Sequence, residues 1–423
     1  MTAPRFSALV TLVIFAGCST SPSVPNVGQP VTPVNNAVRS ANGLSPRAPS
    51  PIRHVILVVQ EDRSFDNLFC RFPGAQGATS GQTSTGAEVK LKSILLSKRA
   101  QLTDTWQTFQ TVFNDGKGNG WNLEPLPNGH PAGTLPYACV DPNTIASYWS
   151  LAKQYALADH MFATVSGDFI AHQQLIDAPE EVAPDEYLIG PPDHGPWGCD
   201  APPGTTTPVL KNGQYLPNGP FPCFKYATLA SVLDAKGIAW KYYVPSPSSG
   251  LSNAYFNAFD AIKYVRHGKD WKNVVAPSTQ FFSDLAGGKL AGMTWILPDA
   301  QDSDFAAAGA AGGPKWVASI VSALQKSSYW KSTAVVVVWD DWGGWYDGVP
   351  PAQIDPVGLS FRVPAVVVSP WAKRGYVSHT RYDFGSIMKF VEETFGLAYP
   401  GTTAQGYMDA NSNSLSDVFD FTR

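Results

Sequence analysis

The sequence predicts an α/β protein, a mainly parallel central sheet with helices on both faces. Three observations predict it. The runs "HVILVV" from His54, "TAVVVV" from Thr333 and "VPAVVV" from Val363 are near-continuously apolar and of strand length, as in strands buried on both faces. Segments of helical period alternate with strand runs, which favours a parallel sheet with helical crossovers. Two of the strand runs end in paired acids, Glu61-Asp62 and Asp340-Asp341.

Taken in order, the chain opens on a targeting segment over residues 1–18. Arg5 precedes "FSALVTLVIFAGC", which is too short to span a bilayer as a mature helix. Ala16-Gly17-Cys18 resembles a lipoprotein cleavage box, in which Cys18 is lipidated and becomes the first mature residue. Phe15 stands where Leu is usual, so ordinary signal-peptidase cleavage is the alternative. Either route exports the chain, to a lipid-anchored, periplasmic or secreted location. Residues 19–50 are rich in Pro and Ser and read as an extended tether. The expected domain covers 51–397, with a tail over 398–423. No other stretch is long and apolar enough to cross a membrane, so membrane contact is expected only through the lipid.

Within the domain, Ser64 is the expected N-cap of a short helix "FDNLFCRF". A loop-rich region follows from Gly74 to Asn143. The spacing predicts a helix over "IASYWSLAKQYALADHMF", ending near Asp159, and another over "TLASVLDAKGI", capped by Thr228. "AWKYYV" and "GMTWILP" read as strands. "PKWVASIVSALQKS" is an amphipathic helix opened by Pro314, and "YDFGSIMKFVEETFGL" a closing helix. The tail after Leu397 carries few structural signals and is expected to lie over the surface.

The composition, 44% hydrophobic and 15% charged, supports a sizeable core. A net charge of −4 gives no electrostatic case for a nucleic-acid partner. After Cys18, four cysteines remain, an even number in an exported chain. Cys199 and Cys223 flank a Pro/Gly-rich loop, so the favoured pairing is Cys199–Cys223 with Cys70–Cys139; free buried thiols are the alternative. No spacing fits a zinc site of paired cysteines.

The acids carry the functional argument. In open α/β sheets, ligands sit outside the carboxyl ends of the strands. If the two acid-terminated strands are parallel neighbours, four carboxylates converge there. Such crowding is costly unless a cation neutralises it or the pKa values rise. A hard divalent cation, Mg, Ca or Mn, suits an all-oxygen ligand set. The bland alternative has these acids capping helices or pairing with Arg63, Lys373 and Arg374.

"HVILVVQEDRSFDNLF", "YWSLAKQYALADHMF", "WDDWGGWYDGVPP" and "FRVPAVVVSPWAKRGYVSH" resemble the bacterial phosphoesterase family, which includes phosphocholine-type phospholipases C and acid phosphatases. The likeness covers His54 to Leu397. It implies an alkaline-phosphatase-like fold and hydrolysis of phosphate esters, phospholipid head groups among them, by a metal-assisted Ser or Thr. Mapped onto this chain, it implies Glu61, Asp62, Asp340 and Asp341 as metal ligands, with Asp62 where the family usually has Asn.

The chain also departs from the family pattern. In "SGDFIAHQ", Asp168 occupies the nucleophile position, as a phosphoryl acceptor or one more ligand; Ser166 and Thr164 are nearby hydroxyls. Phe305 and Gly348 stand where relatives often carry histidines that bind phosphate or protonate the leaving group. His379 and His172 are then the candidate general acids, though His172 on an apolar helix face also suits a structural role. Trp342, Trp345 and Trp371 suit core packing, or a choline head group by cation–π contact. The lost histidines and Asp168 leave a second reading open, a catalytically silent family member that binds a ligand at the cell surface.

Overall fold

Eight strands build the central sheet, in the order Val274–Val275, Trp240–Tyr243, Met293–Ile296, His54–Gln60, Thr333–Trp339, Leu359–Val368, Ala156–Thr164 and Tyr376–Ser378. The structure is a computed structural model that describes residues 50–164, 167–246, 257–354, 356–402 and 405–423. The targeting segment with Cys18, the tether up to residue 49, and Ser166 lie outside them.

Among these strands only Leu359–Val368 runs antiparallel to its neighbours. The cause lies in its connection. A parallel neighbour needs a crossover, usually helical, whereas no helix intervenes between Trp339 and Leu359 among the described residues. Every residue of Thr333–Trp339 and of Leu359–Val368 is buried. Successive side chains point to opposite faces, so both faces of the sheet are covered here.

The helices form where their signals stand. Ser64 caps Phe65–Phe69, its hydroxyl accepting from the Asn67 amide. Thr228 and Ser231 make a capping box for Leu229–Lys236, and Pro314 opens Gly313–Lys326 in its first turn. The closing helix is Phe384–Phe395, capped by Asp383. Both expected disulfides form, Cys70–Cys139 and Cys199–Cys223, with Cα separations of 6.2 and 4.5 Å.

Two expectations are corrected. The segment read as one helix to Asp159 is a helix only over Ala146–Gln154; Ala156–Thr164 is a strand. Its helical spacing yields to pairing on both sides, with Leu359–Val368 and Tyr376–Ser378. The tail does not simply cover the surface either. Leu415 and Val418 are fully buried in the main core, and Phe419 stacks on Phe390.

Candidate active site

Strand register brings the two acid pairs together. His54–Gln60 and Thr333–Trp339 are parallel neighbours with Gln60 opposite Trp339. The residues that follow therefore leave the sheet side by side, Glu61 by Asp340 and Asp62 by Asp341. The ladder continues one step, the Asp340 amide donating to the Gln60 carbonyl at 2.9 Å. The Asp340 carboxylate then accepts from the amides of Asp62 at 3.0 Å and Asp341 at 2.7 Å. The Gly343 amide donates to Asp341 at 2.7 Å.

Asp62 adopts a left-handed backbone, φ +56°, uncommon for a residue with a side chain and typical of functional sites. Gly343 permits it. A Cβ at Gly343 would stand 2.2 Å from the Asp62 carbonyl oxygen, and Gly343 itself has φ +55°.

Ala156–Thr164 is related to Thr333–Trp339 by two antiparallel pairings, so it runs the same way and ends at the same edge. Asp168 follows as the first residue of the helix Asp168–Gln174. His172 lies four residues on, hence on the same helix face. Asp104 comes from the loop before Trp106–Phe113.

Two sets of potential ligands result. Asp62, Asp104, Asp168 and Asp341 each place a carboxylate oxygen within 4.8 Å of the others. Glu61, His172 and Asp340 form the adjoining set. His172 Nε2 is 3.3 Å from Asp340 Oδ2 and 3.6 Å from Glu61 Oε2. The buried oxygens Glu61 Oε1, Asp62 Oδ1 and Asp341 Oδ2 have no hydrogen-bond partner. The helix-cap and ion-pair alternative fails for these acids. Arg63 donates to the Asp304 and Leu96 carbonyls and to Asn67, and no ion pair among the described residues links them to Arg63, Lys373 or Arg374.

Burial first, then mutual repulsion, raises these acids. Asp168 is pushed up to about 8, and Glu61, Asp62 and Asp341 well above the carboxylate range. Burial pushes Asp104 up to about 6. Burial also pushes Asp340 upward, but the hydrogen bond and charge of His172 bring it below its ordinary value. Orphaned buried oxygens in an acid-rich donor set fit a hard divalent cation.

A stability prediction follows from Asp168. Its carboxyl is ordinarily near 3.8 and stands at about 8 in the fold. A raised acid contributes stability fully below pH 3.8 and loses it as pH climbs through 8. The chelator-treated protein should therefore lose melting temperature between about pH 4 and 8, and added divalent cation should restore most of it at pH 8. Thermal melts across pH, with and without the cation, check this. Asp168→Asn should narrow the gap.

A cleft of about 410 Å³ opens over this edge. Asp104 and Asp168 line it, with Phe169, Ile189, Trp197 and Tyr215 giving an apolar wall. Trp342 and Trp345 are instead fully buried, Trp342 packing on Trp121 and Phe361, so these two rings are core; Trp371 is half-buried against Phe421 in the tail.

His379 does not join the acids. Its Nδ1 meets Asp159 at 2.8 Å, and Asp159 also meets His160. Ser378 pairs with Ala158, six residues short of Thr164 along the strand, so His379 sits roughly 20 Å from the acid edge. Asp104 escaped sequence reading, because it stands in a loop with no periodic signal. His172 had one, its four-residue spacing from Asp168.

A model of the phosphoesterase family matches residues 52–398. Phospholipase C B of Mycobacterium tuberculosis is 22% identical over 428 residues, 88% of this chain and 78% of the relative. Phospholipase C A of that organism is 24% identical over 88% of this chain and 77% of its own length. Non-hemolytic phospholipase C of Pseudomonas aeruginosa is 23% identical over 88% of this chain and 57% of its own. Among solved structures, a protein in the alkaline phosphatase superfamily from Vibrio parahaemolyticus aligns with TM-score 0.42 and 11% identity, covering 88% of this chain and 73% of that one.

Proposed function

The chain belongs to the phosphoesterase family, whose members hydrolyse phosphate esters, and from that premise we propose a metal-dependent phospholipase C-like activity. The observation that carries this reading is the meeting of Asp62, Asp104, Asp168 and Asp341, two of which, Asp104 and Asp168, line an apolar-walled cleft. These four would hold one divalent cation, and Glu61, His172 and Asp340 a neighbouring one. A bound cation supplies shielding of the phosphate charge and polarisation of its oxygens.

The protein's own residues do the rest. Asp340 fixes the Asp62 and Asp341 backbones by accepting from both amides. Gly343 orients Asp341. Phe169, Ile189, Trp197 and Tyr215 hold the apolar part of the ester and exclude water. Asp168 acts as a ligand here, since its carboxylate is one of the four that converge. His172, enclosed by Glu61 and Asp340, serves the same centre rather than the leaving group. Export is part of the proposal, supported by the N-terminal segment and by two disulfides.

Because Phe305 and Gly348 replace the usual histidines, the leaving group gets little acid assistance, a contribution typically worth about 10²–10⁴-fold. Hydrolysis should therefore favour esters of acidic alcohols. With added divalent cation, p-nitrophenyl phosphorylcholine should turn over at least about a hundredfold faster than an unactivated alkyl phosphodiester. Turnover should vanish on chelation and return on re-addition. Chelator-insensitive turnover, or no turnover of either ester with Mg, Ca or Mn, would count against the proposal.

A further inference from the structure

We propose a second cation site, separate from the catalytic edge, formed by Asp177, Glu392 and Asp409, which takes a calcium-class divalent ion and ties the C-terminal tail to the catalytic helix. The three carboxylates come from three parts of the chain. Asp177 lies just beyond the helix Asp168–Gln174, Glu392 is on the closing helix Phe384–Phe395, and Asp409 opens a short turn in the tail. Each offers an oxygen within 4.8 Å of the others. Calcium–oxygen distances of about 2.3–2.6 Å place ligands on one ion up to about 5 Å apart, so the span fits.

A cluster of acids on a surface would mean little. These are not on the surface: Asp177 is 3%, Glu392 2% and Asp409 0% exposed. Asp177 Oδ2 is buried without a hydrogen-bond partner, and the Glu392 and Asp409 carboxyls meet no side chain that could satisfy them but each other, with only the Asp409 and Ala410 backbone beside Asp409. Unpaired buried carboxylates are among the costliest groups a fold can hold. No ion pair among the described residues reaches them. The nearby cation, Lys389, instead donates to the Ser412 carbonyl at 2.8 Å. An oxygen-only set of three carboxylates with unmet acceptors calls for a hard cation. Glu392 stands on the helix whose Phe390 stacks on Phe419 of the tail, so an ion here would join tail and domain where they already pack.

The site is independent of the catalytic proposal, and calcium counting separates them. Equilibrium dialysis with ⁴⁵Ca is run on the full chain, on Glu392→Gln, and on the double variant Glu61→Gln/Asp341→Asn, which removes a carboxylate from each of the two ligand sets at the catalytic edge. Glu392→Gln should lose one calcium per chain, and should admit protease to the tail between residues 398 and 408 as fast as the chelated native protein. The double variant should retain one calcium, and added calcium should raise its melting temperature by several degrees. Equal calcium in the native chain and Glu392→Gln overturns the site. Should Glu392→Gln fail to fold, the double variant decides: one retained calcium upholds the site, none overturns it. A failure confined to the catalytic edge would show as a native chain holding only the calcium that Glu392→Gln removes.

Discussion

Replacing Asp341 with Asn should lower phosphodiester turnover by at least about 10³-fold. Loss of a single preorganised electrostatic group typically costs 10²–10³. Asp341 does more than one such job. It contributes to the four-aspartate set, accepts from the Gly343 amide, and follows directly on Asp340 of the adjoining set. The variant keeps shape and volume while removing charge, so folding should survive. Removing this carboxylate also removes the repulsion that Asp104, Asp62, Asp340 and Asp168 exert on Asp341. The chelated variant should therefore melt at or above the temperature of the chelated native protein. Loss of activity together with a retained or raised melting temperature distinguishes a functional acid from an architectural one. Metal analysis of the two proteins after identical dialysis completes the comparison.

Gly343→Ala should be the most damaging small substitution at the site. Its Cβ would meet the Asp62 carbonyl oxygen at 2.2 Å, a backbone atom that cannot swing aside, at a backbone of φ +55°. Left-handed strain of this kind costs about 1–3 kcal/mol before the clash is counted. Relief requires moving Asp62 or Asp341, and a misplacement of about 1 Å can cost 10²-fold in rate. The expected result is a loss of turnover comparable to that of Asp341→Asn, with a lowered melting temperature. Gly309→Ala offers a contrast, since its Cβ would first meet the flexible Arg99 side chain. It should leave turnover within a few-fold of native. If Gly343→Ala keeps full activity and stability, the packing of Asp62 against Gly343 does not set the site.

The parts of this site that the sequence revealed are those tied to strand ends. "HVILVV" and "TAVVVV" can only be strands of a covered sheet, and acids directly after them must leave at its rim. That logic brings Glu61, Asp62, Asp340 and Asp341 together if the two strands are parallel neighbours, a condition that the register of His54–Gln60 and Thr333–Trp339 meets. Asp168 came from motif position, and the structure brings it to the same edge because Ala156–Thr164 runs parallel to the other two strands. The same segment defeated the helix reading, since its short apolar run suits either period and pairing decided the matter. The antiparallel course of Leu359–Val368 had a signal in the Gly/Pro-rich stretch between Trp339 and Leu359, whose described residues hold no helix to make a crossover. Asp104 had none, because a loop aspartate is located only by tertiary packing. His379 was chosen by residue type, and strand register carried it to Asp159 instead. The buried Asp177–Glu392–Asp409 set was equally invisible, its members 215 and 17 positions apart in sequence.

The account rests on a cation held among Asp62, Asp104, Asp168 and Asp341. Crystals of the manganese-loaded enzyme, active on p-nitrophenyl phosphorylcholine before crystallisation, would test it by anomalous diffraction at the manganese edge. A peak bonded to oxygens of these four aspartates, lost in Asp341→Asn, is the predicted result. Active enzyme with no anomalous peak among them would contradict it.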